Sequence, residues 1–102
     1  MNTKVEAFVG IDVNISKIKI YLLNSTGYCF NTFSIDHNCL SPGAFTVLVT
    51  RAINLIKNSF DISSVLLSIP GVIDHENRRV ESLSVWQGWY EVPLAEWLEI
   101  RL

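Results

Sequence analysis

The chain has 102 residues, 49% of them apolar and 18% charged, with a formal net charge of −2. One domain with a sizeable core fits that length and composition, and intrinsic disorder does not. Lys and Arg together number 8 against 10 Asp and Glu, and Arg78-Arg79 is the one basic doublet, so this segment is excluded as a grip on a phosphate backbone by itself. Cys29 and Cys39 stand too far apart for a CxxC motif, and His37 has no partner at metal spacing. Two reduced thiols are therefore expected, and no metal site. No apolar run approaches membrane-spanning length, and the N-terminal MNTKVEAF lacks the apolar segment of a signal peptide, so the expectation is a soluble, cytoplasmic chain.

In chain order, Val5 to Ile11 reads as a buried strand, Asp12-Val13-Asn14 as a turn, and Ile18 to Leu23 as a second strand with Ile18, Ile20 and Leu22 on one face. Asn24-Ser25-Thr26-Gly27 is a turn with glycine placed for the left-handed conformation, and Tyr28 to Ile35 is a third strand. Short turns joining consecutive strands predict an antiparallel meander. At Ser41-Pro42 the period changes: serine can cap the orphan N–H groups of a helix and proline suits its first position. Phe45, Leu48, Val49, Ala52, Leu55 and Ile56 form an apolar stripe, with Thr46, Thr50, Arg51, Asn54 and Lys57 opposite. Asp61 to Ser64 is read as the end of that helix.

Val65 to Ile69 is apolar and β-branched enough for a strand buried on both faces, and it should lie parallel to a neighbour because a crossover helix precedes it. Pro70-Gly71 stops it. A polar excursion over Asp74 to Arg79 turns the chain back, Trp86, Trp89 and Tyr90 follow, and Leu94 to Leu102 is a helix with Leu94, Trp97, Leu98 and Leu102 on one side. A strand ending in Pro-Gly can present backbone at a binding crevice, or can be a plain strand-to-hairpin turn. The order β-β-β-α-β-(hairpin)-α predicts an α/β fold with a mixed sheet over 1–102.

Three segments together resemble one family. Phe8-Val9-Gly10-Ile11-Asp12-Val13-Asn14-Ile15-Ser16-Lys17-Ile18 is similar to the first phosphate-loop hairpin of the ROK family, the sugar kinases and repressors of the actin-like ATPase superfamily. Leu67-Ser68-Ile69-Pro70-Gly71-Val72-Ile73-Asp74 resembles its strand and Pro-Gly turn, and Gly88-Trp89-Tyr90-Glu91-Val92-Pro93-Leu94, with Glu96, Leu98 and Leu102, its W-x-x-V-P-L-x-x-x-L segment. The resemblance spans essentially the whole chain. It implies the N-terminal lobe of a two-lobed, ribonuclease-H-like fold with sugar and nucleotide held between lobes. The family's next strand and its catalytic aspartate, the second phosphate loop, the zinc motif of the other lobe and the helix-turn-helix of the repressor branch are expected outside these residues.

In the kinase branch the first loop reads Asp-x-Gly-Gly-Thr-Lys, whose glycines let backbone N–H groups approach phosphate oxygens. The matching positions here are Asp12, Val13, Asn14, Ile15, Ser16 and Lys17. Asp12, Asn14, Ser16 and Lys17 are the candidate residues of a degenerate nucleotide site, and an ordinary hairpin turn closed by Asx-type bonds is the competing reading. Gly71 matches a position where backbone nears the sugar, and Ser84 lies near a polar position that can bond a sugar hydroxyl. Trp86 and Trp89 can be aromatic walls, or Trp89 a packing residue that fixes its loop against the last helix; His75 is expected in solvent.

The resemblance therefore implies a regulator of the N-acetylglucosamine-repressor type, whose lobe contributes one wall of a sugar-effector cleft and reaches DNA through a domain not in this chain. The alternative is the same lobe of an ATP-dependent sugar kinase, in which ATP-Mg would be the co-substrate. No catalytic residue and no metal ligand is expected within 1–102, catalysis by this chain is not expected, and self-association into a homo-oligomer is.

Overall fold

The computed structural model describes residues 4–14, 16–37, 40–83 and 88–102, with the side chains of Leu83 and Tyr90 left aside. The meander forms as expected. Strands β1 (Val5–Val13), β2 (Lys17–Leu23) and β3 (Cys29–Asp36) pair antiparallel, Val9 with Leu22 and Ile20 with Phe33. The first turn is shorter than expected, because β1 runs on through Val13. Buried Val13 pairs with Ile18 and extends the inward row of Ala7, Val9 and Ile11. The second turn closes on Asn24, whose side-chain Oδ1 accepts from the N–H groups of Thr26 and Tyr28 at 3.0 Å, with Gly27 at φ +86°.

Helix α1 (Pro42–Lys57) starts where Ser41 and Pro42 place it: the Ser41 hydroxyl accepts from the Ala44 N–H at 3.2 Å. Its buried residues are Phe45, Thr46, Val49, Ile53 and Ile56. Three positions depart from the expected stripe, among them Ile53, which the stripe omits and which is fully buried. Leu55 is 70% exposed, whereas Thr46 is 1% exposed. The threonine tolerates burial because its hydroxyl donates to the Pro42 carbonyl at 2.8 Å, and the stripe widens because α1 packs on both the sheet and the last helix.

Strand β4 (Phe60–Ser68) lies parallel to β1 at the sheet edge, giving the order β3-β2-β1-β4. It begins before Val65 and takes in Asp61 to Ser64, where the sequence predicts the end of the helix. The reason is a bulge: the register shifts between Ala7 and Phe8, so that Ser63 is the extra residue of β4. Phe60 and Ile62 face the core before the bulge, Val65 and Leu67 after it, and the polar residues between them face out. The strand is not buried on both faces. Leu66 is 75% exposed, because β4 is an edge strand packed on one side only.

Pro70 sits at the centre of a tight turn in which the Gly71 N–H donates to the Ile69 carbonyl at 3.1 Å, a geometry suited to the fixed φ of proline. A second, three-stranded antiparallel sheet follows: β5 (Gly71–Asp74), β6 (Arg79–Leu83) and β7 (Tyr90–Val92). The hairpin matches the expected excursion, and β7 is additional to it. Helix α2 (Leu94–Arg101) buries Leu94 and Leu98, which join Val80, Trp89 and Val92 in one core with β1, β2 and α1. The mixed sheet with its helices is the expected α/β arrangement.

Candidate functional site

Parallel pairing of β1 and β4 brings the two sequence-derived segments to one end of the sheet. Asp12 stands opposite Ser68 on β4 and opposite Lys19 on β2, and all three are exposed on the same sheet face. The β1–β2 loop leaves from Asp12 and Val13, and the Pro70-Gly71 turn leaves two residues after Ser68. In open α/β sheets ligands collect at this end, beyond the carboxyl ends of the parallel strands.

The β1–β2 loop is tied within itself. The Asn14 carboxamide oxygen accepts from the Ser16 N–H at 3.1 Å and from the Lys17 N–H at 2.8 Å. The Asn14 N–H donates to the Lys17 carbonyl at 2.9 Å, and the His37 N–H to the Ser16 carbonyl at 3.0 Å. The His37 ring meets the Asn14 carbonyl at 3.2 Å; a carbonyl only accepts, so Nε2 carries the proton. Lys17 Nζ lies 3.7 Å from Asp36, with both side chains at least half exposed. Asn14 is not among the residues of positive φ, so it fits the turn without the left-handed backbone. Ile15 lies outside the described residues.

Gly71 opens β5 at the surface, and its backbone partner across the ladder is Leu83. Strand β6 thus returns the chain to the Pro-Gly turn just before Ser84, which, with Trp86, lies outside the described residues. Trp89 is fully buried. Its indole N–H donates to the Leu40 carbonyl at 2.9 Å, and its ring meets Phe45 edge-on at a centroid distance of 5.4 Å. It is a packing residue, as one of the two readings had it, but these contacts anchor its loop to the start of α1, where that reading named the last helix. Gly88, at φ +83°, supplies the bend that delivers it. His75 is exposed at the hairpin tip.

Arg78 and Arg79 do more than solvate that tip. Arg78, at φ +57°, pairs with Glu99 on α2, and Arg79 lies 3.7 Å from Glu91. The hydrogen bond from Arg78 holds the Glu99 carboxyl below its ordinary value, and the Asn77 side chain and N–H do the same for Asp74. Between the free edge of β4, the hairpin and α2 lies an apolar groove of about 980 Å³, with Leu66, Ile73, Leu94, Leu98 and Leu102 in its walls. Nothing in the sequence reading anticipated it. The sequence places Leu66 in a strand buried on both faces and Leu102 on the apolar side of the last helix, so neither stands out as exposed. Cys29 is a free, half-buried thiol, and Cys39 lies outside the described residues. Among the described residues no three His, Cys, Asp or Glu side chains are grouped to hold a metal ion, and no helix is long and apolar enough to cross a membrane.

No protein-family model matches the chain. Comparison with curated proteins finds no match either. Solved structures do match. A ROK-family glucokinase from Streptomyces griseus, solved with glucose and AMPPNP, superposes over 94% of this chain and 30% of its own, with a TM-score of 0.80 at 20% identity. A ROK-family transcriptional regulator, a homologue of the E. coli MLC protein, superposes over 94% of this chain and 25% of its own, with a TM-score of 0.81 at 14% identity. A ROK-family protein from Streptococcus pneumoniae, solved with sucrose, covers 93% of this chain and 31% of its own, with a TM-score of 0.71 at 19% identity. The chain thus spans a third or less of the length of these structures, and its fold is the one that ROK-family sugar kinases and a ROK-family regulator share.

Proposed function

We propose that this chain is the N-terminal lobe of a ROK-type transcriptional regulator of the N-acetylglucosamine-repressor kind, and that it contributes one wall of a sugar-effector cleft. The carrying observation is the β1–β2 loop, where the backbone N–H groups of Ser16 and Lys17 are already taken by the Asn14 side chain. A loop that cradles phosphate needs such donors free and a backbone that closes on the ligand. In this reading the Gly71 backbone faces the sugar, Ser84, outside the described residues, is a candidate sugar contact, and Trp89 fixes that wall to α1. DNA is reached through a helix-turn-helix outside these residues, the protein is a cytoplasmic homo-oligomer, and zinc belongs to the other lobe.

The second reading is the corresponding lobe of an ATP-dependent hexose kinase. It is supported by the nucleotide-bound glucokinase of the same fold and by Asp12 and Lys17, which keep the charges of the kinase loop. Titration calorimetry separates the two. A hexose that gives saturable heat while ATP-Mg gives none supports the regulator, and saturable ATP-Mg heat supports the kinase. A helix-turn-helix encoded upstream of Met1 in the parent reading frame is expected only for the regulator.

A further inference from the structure

We propose that the 102-residue chain associates head to tail: the β3 edge of one copy enters the groove beside β4 of the next, so that the sheet and its helix layer continue from copy to copy. The inference stands on two surfaces that the proposed function does not use, whether the lobe serves a regulator or a kinase. Helices pack about 8–10 Å apart and strands about 4.8 Å apart, so one helix covers roughly two strands. Helix α1 lies over β1 and β2, whose inward rows are buried. Helix α2 packs beside α1, and its Leu94, Leu98 and Leu102 face the free edge of β4 across the groove of about 980 Å³. That side of the molecule has a helix and lacks a strand.

The opposite side has a strand and lacks a helix. β3 is the other end of the same sheet, and among the described residues no strand pairs with its outer edge. Phe33, which stands opposite Ile20 on the inward face, is 43% exposed, and Leu55 on the adjoining flank of α1 is 70% exposed. With Ile35 and Ala52 they line a hollow of about 440 Å³. Docking β3 on β4 of the next copy puts Phe33 and Ile35 beneath the leucines of α2, and α2 beside Leu55, which carries the two-strands-per-helix spacing through the interface. No charged residue lies within 62–69 on one edge or 28–35 on the other, so neither has the lysine that blunts a free edge. Parallel pairing sets Asp36, at the end of β3, and Asp61, near the start of β4, at opposite ends, whereas antiparallel pairing brings these like charges together. The two surfaces differ, so each added copy presents a fresh groove and the assembly stays open instead of closing as a dimer.

The test is sedimentation velocity on the native chain and on variants blocked at one surface each. Leu66→Lys with Leu102→Lys blocks the groove. Leu55→Lys blocks the β3 flank, and Phe33→Lys repeats that block through a second residue. Lysine on both sides keeps the blocked surfaces from attracting one another, and Leu55 and Leu66 are exposed enough for their substitution to leave folding intact. The native chain should grow past the dimer with rising concentration, and each variant alone should stay monomeric there. An equimolar mixture of a groove-blocked and a flank-blocked variant should form a one-to-one dimer and stop, because the native β3 of one fits the native groove of the other. Variants that grow like the native chain, a mixture that stays monomeric, or a native chain that stays monomeric overturn the proposal. A native chain that stops at a dimer also overturns it, while leaving the homo-oligomer of the regulator reading in place.

Discussion

Trp89 is the side chain on which the most structure converges. It is fully buried, its N–H satisfies the carbonyl of Leu40 at the entrance of α1, and its ring packs edge-on against Phe45. Trp89→Phe keeps the apolar contact but strands that carbonyl and should cost about 1–3 kcal/mol. Trp89→Ala adds a cavity and should cost about 3–5 kcal/mol, both measured by urea unfolding. Gly10 behaves in the opposite way, although it belongs to the segment that resembles a phosphate loop. A Cβ there would meet Leu23 Cδ1 at 3.8 Å and Tyr21 Cβ at 3.9 Å, ordinary van der Waals contact. Gly10→Ala should therefore leave the melting temperature unchanged or raise stability by up to about 1 kcal/mol, because alanine restricts the unfolded chain. A large loss of stability would mean that this strand position needs glycine.

Among the elements, β1, β2 and α1 were legible because their burial has a period, β3 from its aromatic and β-branched residues alone, and the misreading of β4 falls where the period breaks. The bulge at Ser63 shifts the inward positions of β4 by one residue, which turns a plain edge strand into an apparent polar linker followed by an apolar run. Thr46 looked like a solvent-face residue because a sequence shows its hydroxyl and not the Pro42 carbonyl that takes its proton. The candidate loop was legible as a position. What fills it was not, since only geometry shows which N–H groups the Asn14 side chain reaches.

The hairpin carries a pH dependence through its carboxylates. Glu99 has its folded-state pKa lowered by the bond from Arg78, so its contribution is fully present above the ordinary carboxylate range and is lost as pH falls through the lowered value. Asp74, lowered by Asn77, acts with the same sign. The amides of β5, β6 and α2 should accordingly report a loosening of the hairpin on acidification from neutral pH. Glu99→Gln should remove the α2 part of that titration, whereas an unchanged titration in Glu99→Gln would show that the ion pair does not tie the hairpin down.

For the molecule as a whole, the sheet is covered on one side and open along β4. An unpaired edge bearing exposed Leu66 beside an apolar groove favours strand pairing between chains. The chain should associate with rising concentration in sedimentation velocity, and Leu66→Lys should weaken that association while changing folding stability by less than about 0.5 kcal/mol, as for other exposed positions. A strict monomer at high concentration would contradict it. In the proposed function this lobe faces a sugar and does not take nucleotide at its first loop. The most direct measurement is an amide-shift map of the native chain with a hexose and, separately, with ATP-Mg. Hexose-dependent shifts centred on Gly71 are expected, with no saturable ATP-Mg shift at Asn14, Ser16 or Lys17. Saturable ATP-Mg shifts on those loop residues, with Gly71 unmoved by any hexose, would contradict it.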